Sequence, residues 1–195
     1  VAYIMQRNYK DALGVYQTLI ALYPNNVSYH AALALLYKET GDFEKARLEA
    51  MEVFRLQPDN PETIEFIKLL IGLKPGDVNL LYALVDIYKT LGNQEKLKEE
   101  FLKIVSFYQQ LIDKEPNNFY NHMNLANTYK ELRYYEKAYQ EAIVALEIAP
   151  KKLQDVEYLL NKIPPEYLDR YQDYIRSKPS LYFQLYGNLP GSLEK

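Results

Sequence analysis

The segment LLYKETGDFEKA at residues 35–46 returns as DIYKTLGNQEKL at 86–97 and as NTYKELRYYEKA at 127–138. A copy this short cannot bury an apolar face by itself, so the copies must stack on their neighbours, and the chain is committed to a repeat architecture. The spacing inside one copy says which kind. Over residues 27–60, His30, Leu33, Ala34 and Tyr37 fall three, one and three residues apart, which sets them on one face of a helix. Gly41-Asp42 then interrupts: glycine gives the backbone freedom of a tight turn, and aspartate can cap the helix that follows. A second helix carries Ala46, Ala50 and Val53 on its inner stripe and stops at Pro58, closing a helix-turn-helix unit of 34 residues.

This pattern resembles the tetratricopeptide repeat family, whose signature runs Trp-x2-Leu-Gly-x2-Tyr, then Ala-x3-Phe, then Pro. Here it reads His30-x2-Leu33-Ala34-x2-Tyr37, Ala46-x3-Ala50 and Pro58. It reads again as His122-x2-Leu125-Ala126-x2-Tyr129, Ala138-x3-Ala142 and Pro150. The middle copy has Leu81, Leu84, Val85, Tyr88, Leu97 and Phe101 in the same slots, and Tyr3, Ala12, Tyr16 and Pro24 keep the offsets at the start. The family's Trp is absent and its Gly is replaced by Ala or Val, so the packing is a variant. Since Tyr3 takes the place of Tyr37, either most of the first helix lies before Val1 and the chain is a piece of something longer, or the first unit is degenerate.

The intervals between copies are unequal. Tyr37 and Tyr88 are 51 residues apart and Tyr88 and Tyr129 are 41, a 34-residue unit with 17 and with seven residues added. Seven residues are about two helical turns, so the second helix of the middle unit is expected to run long, to Pro116. The other insertion, PETIEFIKLLIGLKPGD at 61–77, reads as one helix and its turn, half a repeat, which should reverse the alternation of helices. The expected organisation is therefore all-α: a tetratricopeptide-like helix-turn-helix solenoid of three to four repeats. Repeats fill 1–60, a single helix 61–77, two further units 78–150, and capping helices with a tail 151–195. In that last part KKLQDVEYLLNKI and EYLDRYQDYIRSK read as helices closed by Pro164-Pro165 and Pro179. Tyr167, Tyr171 and Tyr174 form a stripe that Leu181, Tyr182 and Leu185 continue, either a cap over the last apolar face or an aromatic docking surface. GNLPGSLEK reads as a frayed end.

Composition narrows the chemistry. A formal charge of -3 with dispersed Lys and Arg offers no field for a nucleic-acid backbone. With no cysteine there is neither a disulfide framework nor a thiolate metal site. Cytosol, periplasm and exterior remain compatible with this. No apolar run spans a bilayer, so these residues are not expected to insert in a membrane directly. Phosphate loops, His-Glu-x-x-His and Gly-x-Ser-x-Gly elbows are all missing. His30 and His122 share one repeat position where the family has a packing aromatic, so they read as packing groups, and Glu95, Lys96, Lys98, Glu99 and Glu100 read as a solvated face. No enzyme activity, cofactor or metal is expected.

What remains is surface. Beside each first helix's packing stripe runs another at spacing three, four, three, which the family resemblance implies faces a concave groove. It comprises Ser28, Ala31, Leu35 and Lys38; then Asn79, Tyr82, Asp86 and Lys89; then Tyr120, Met123, Asn127 and Lys130, with Asn124 alongside. Tyr and Met supply adaptable apolar contact, while Asn, Asp and Lys can fix the backbone or charge of a protein or peptide partner. Ala31, Tyr82 and Met123 stand where family members that clamp acidic chaperone tails place cations, which argues against that role. A non-enzymatic binding scaffold, or end-to-end self-association, is the main reading. The alternative is a soluble carboxy-terminal part of a membrane-associated bacterial polymerase or ligase of surface polysaccharide, whose repeats EVFRLQPDNPETIEFIKLL at 52–70 resembles.

Overall fold

A computed structural model describes residues 9–58 and 60–187; Tyr3 and most of the tail read as frayed lie outside the described residues. Among those described there are eleven α-helices and no strand. The fold class is the one the sequence predicts, all-α helix-turn-helix repeats with a half-repeat inserted and helices capping the end. The chain divides into two compact units, Val1–Glu100 and Phe101–Lys195.

The first unit contains α1 (Tyr9–Leu22), α2 (Val27–Glu39), α3 (Phe43–Leu56), α4 (Pro61–Leu73) and α5 (Val78–Thr90). Helix starts are specified by side chains: Asn26 Oδ1 accepts from the Tyr29 N–H, Asp42 Oδ1 from Lys45, Asn60 Oδ1 from Glu62 and Asp77 Oδ1 from Asn79. Each such cap satisfies a donor that the helix itself leaves open, at a value of about 1 kcal/mol. Asn26 opens the triplet Asn26-Val27-Ser28, a formal glycosylation acceptor, and the cap occupies its side chain. Helices α2 and α3 meet across Ala46 and Ala50, which are fully buried, with Leu33 and Tyr37 closing the seam. Helix α4 lies against α3 and α5, and α5 touches α3 as well. Seven of the thirteen residues of α5 are buried, against five in α2.

Helix α6 (Gln94–Lys114) is 21 residues long, two turns beyond the ordinary second helix, as the seven-residue insertion predicts. Glu100 is buried, at 2 % exposure, so the reading of Glu95–Glu100 as a wholly solvated face is corrected at that position. A stripe of mixed charge conceals one inward-facing member because sign alternation carries no information about which turn points inward.

The second unit pairs α7 (Phe119–Glu131) with α8 (Tyr135–Ile148) across Ala126, Ala138 and Ala142. A single turn of 3-10 helix at Pro150–Lys152 leads into α9 (Leu153–Leu160), α10 (Pro165–Ser177) and α11 (Pro179–Tyr186). Pro165 and Pro179 start helices, where their missing N–H and fixed φ cost nothing. Val156, Leu159, Leu160, Tyr171, Ile175 and Leu181 join Ala142, Leu146 and Met123 in one core, so the aromatic stripe caps the last repeat. Arg170 locks this cap: both its terminal nitrogens donate to the Glu136 carboxylate, at 2.6 and 3.1 Å. Its guanidinium lies 4.6 Å from the Tyr139 ring centre.

Candidate functional site

The three helix-turn-helix turns share one closure. Gly41, Gly92 and Arg133 each sit at positive φ, at 79, 69 and 60°. Their amides bond the carbonyls of Lys38, Lys89 and Lys130, and the next residue bonds Tyr37, Tyr88 or Tyr129. The turn thus fixes the last lysine of each first helix at the same place on its helix. Lys38 and Lys130 fold onto the neighbouring Glu39 and Glu131, at 2.7 and 3.2 Å. Lys89 is exposed, with no ion pair among the described residues.

On α5 the stripe Asn79, Tyr82, Asp86 and Lys89 is what remains open after seven residues have turned inward: Asn79, Asp86 and Lys89 are exposed and Tyr82 is half-buried. The field of Asp86 reaches Arg47 on α3, whose guanidinium is pushed up first by its hydrogen bond to Glu44 and then by Asp77 and Asp86. No contact ties Asp86 to Lys38 among the described residues. The half-repeat is the cause, because α4 separates the α2–α3 pair from α5 in sequence and packs against both α3 and α5.

On α7 the stripe is partly closed. Met123 is 7 % exposed and belongs to the core that the cap completes, so it is not on the open surface the spacing suggested. Asn127 spends both ends of its amide within the helix, donating to the Met123 carbonyl at 3.0 Å and accepting from Lys130 at 3.3 Å. Tyr120 is 60 % exposed, but its hydroxyl accepts from Lys152 at 2.6 Å and its ring lies 4.3 Å from that ammonium. The Asn124 side chain is half-buried and has no hydrogen-bond partner among the described residues.

Spacing missed one constellation. His30 and His122 are buried as the packing reading expects, yet each ring also makes two hydrogen bonds. Nδ1 meets Glu49 Oε2 at 2.6 Å or Glu141 Oε2 at 2.7 Å, 19 residues on. Nε2 donates to the carbonyl of Pro24 or Pro116, six residues back, at 2.9 Å in both. The carbonyl can only accept, so Nε2 carries a proton. The signal was available: Pro, His and Glu recur at identical offsets, and the middle unit keeps Pro75 and Glu100 around Leu81. These groups tie each first helix to the second helix and to the preceding turn. No group of three metal-ligating side chains occurs among the described residues.

Two family models described as tetratricopeptide repeat match the chain, one over residues 3–63 and the other over 78–111 and 120–152. Together they cover about two thirds of it. No curated protein matches. Among solved structures, a MamA chain is similar at 18% identity, covering 78% of this chain and 95% of its own, with a TM-score of 0.32. MamA from Desulfovibrio magneticus RS-1 is similar at 14%, covering 77% and 90%, with 0.33. A human IFIT1 dimer with PPP-AAAA is similar at 15%, covering 92% and 65%, with 0.29. The family models match the residues that build the paired helices and their turns, and the chain belongs to the tetratricopeptide repeat family.

Proposed function

We propose that the chain is a non-enzymatic scaffold that binds a protein partner through the open strip of α5. The family membership supports a protein-interaction role, and one observation carries the choice of strip. Asn79, Tyr82, Asp86 and Lys89 are the polar and aromatic remainder of a helix otherwise buried, and α5 is a rigid platform for them. A strip held by a packed helix loses little conformational freedom on binding, which favours affinity. Tyr82 supplies the apolar contact, and the Asn79 amide and Lys89 ammonium have no side-chain partner among the described residues, so both can be given to a partner.

The test is affinity capture from the source cells with the wild-type chain and with Tyr82→Ala plus Lys89→Ala, followed by mass spectrometry. Loss of specific partners from the double variant, at unchanged helicity, supports the reading; an unchanged partner list refutes it. End-to-end self-association predicts light scattering that grows with protein concentration, and a flat profile removes it.

A further inference from the structure

The helix α4, packed against α3, leaves a hollow beside the preceding pair. It lies among α2, α3 and α4, with a volume of about 110 Å³. Its walls are apolar, from Ala31 and Leu35 on α2, Val53 on α3 and Phe66 on α4. An apolar cavity of ~150 Å³ admits a benzene ring, so this one suits a smaller group, an isobutyl or thioether side chain. Leu35 and Leu69 lie 46 and 47 % exposed, a large fraction for leucine, so apolar surface is left uncovered on both helices that bound the hollow.

Two polar features are unspent. Thr63 also lines the hollow, is 3 % exposed, and its hydroxyl has no hydrogen-bond partner among the described residues. A buried hydroxyl left this way is uncommon. Glu62, at the same lining and exposed, has no ion pair among the described residues, whereas Glu65 one turn on is neutralised by Lys68 at 2.8 Å. Glu62 therefore leaves one unneutralised carboxylate at the edge of an apolar floor.

We infer that this hollow seats one aliphatic side chain, leucine or methionine, of a partner segment in which a lysine or arginine stands beside it. The apolar group enters between Ala31 and Phe66, and the neighbouring cation pairs with Glu62. This rests on the scaffold reading and adds to it the chemistry of a partner. The site is separate from the α5 strip, so the two can be tested apart.

The probes are fluorescein-labelled heptapeptides with a central Leu, Met or Ala flanked by two Lys or by two Glu, titrated against the full chain by anisotropy. Saturable binding of the Lys-flanked Leu and Met peptides is expected, about tenfold weaker for the Ala-centred or Glu-flanked ones. Ala31→Phe fills the hollow and should abolish binding. Glu62→Lys, an exposed change that leaves the core untouched, should invert the flank preference. Equal binding of Lys- and Glu-flanked peptides, or no inversion in Glu62→Lys, overturns the inference. Flat titrations, with partners that the wild-type chain captures and the Tyr82→Ala plus Lys89→Ala variant loses, overturn it and leave the scaffold reading standing; a partner list unchanged in that variant, with the peptide preference intact, overturns the α5 strip alone. Self-association that Ala31→Phe abolishes would make a second copy the occupant and overturn the basic peptide.

Discussion

His122→Leu tests whether the buried histidine is more than a filler. The substitution removes the Nδ1 pairing with Glu141 and the Nε2 donation to the Pro116 carbonyl, but supplies apolar volume of the kind Leu81 gives the middle unit. The histidine side chain is 7 % exposed and that of Glu141 26 %. A buried hydrogen bond to a charged group contributes about 1.5–3 kcal/mol, and the partial exposure of Glu141 moves it to the lower end. The lost carbonyl contact adds about 1 kcal/mol, and the new apolar burial returns a similar amount. The net cost should be about 2 kcal/mol, a fall of roughly 4–8 °C per kcal/mol for a unit of this size. A double-mutant cycle by urea denaturation, with His122→Leu, Glu141→Ala and both together, isolates the pair, and the coupling should be about 1–2 kcal/mol. A coupling within ~0.3 kcal/mol of zero would refute the reasoning and return the histidine to simple packing.

Arg133→Gly combined with Tyr134→Asp should raise the melting temperature of the second unit, because the turn then acquires the glycine and the cap of its two counterparts, about 1 kcal/mol from each change. Gly92→Ala should do the opposite in a calorimetric scan, since φ of 69° strains any Cβ even though nothing crowds it. Thr63→Val should leave stability unchanged or raise it by about 1 kcal/mol in urea, as it deletes a buried hydroxyl without a partner; a loss of more than that would mean the hydroxyl is satisfied. Tyr171 and Tyr174 are pushed up by burial, with Glu157 acting on the first and Glu147 on the second. Their folded-state values exceed the unfolded ones, so their contribution is complete below about pH 10 and lost as pH rises beyond it. A spectrophotometric phenol titration should show them ionising only as the cap unfolds.

The paired helices were legible because small residues recur at helical spacing: Ala46 and Ala50, like Ala138 and Ala142, leave no other way for two helices to approach so closely. The long helix α6 and the odd helix α4 could be read from the arithmetic between tyrosines. Met123 could not be placed, since its burial depends on Val156, Leu159 and the other cap residues, more than thirty positions away, outside any repeat pattern. Lys152 covering Tyr120 is the same kind of event. How α4 packs against both α3 and α5 is likewise not contained in the count of residues in the insertion. Glu49 and Glu141 escaped notice because a lone carboxylate on a charged helix reads as solvated until its partner is seen.

The spacing of the Pro, His and Glu ties separates what may vary in this chain from what may not. From Pro24 to Glu49, Pro75 to Glu100 and Pro116 to Glu141 the distance is always 25 residues, although 17 residues have been added in one copy and seven in another. Both additions fall after the Glu and before the next Pro. Each copy is thus a cassette of fixed gauge followed by an elastic joint. A tag, a loop or another helix introduced into this protein belongs in the joint, and the same insert within the gauge would part the paired helices, which His30 and His122 tie in the first and last of these copies.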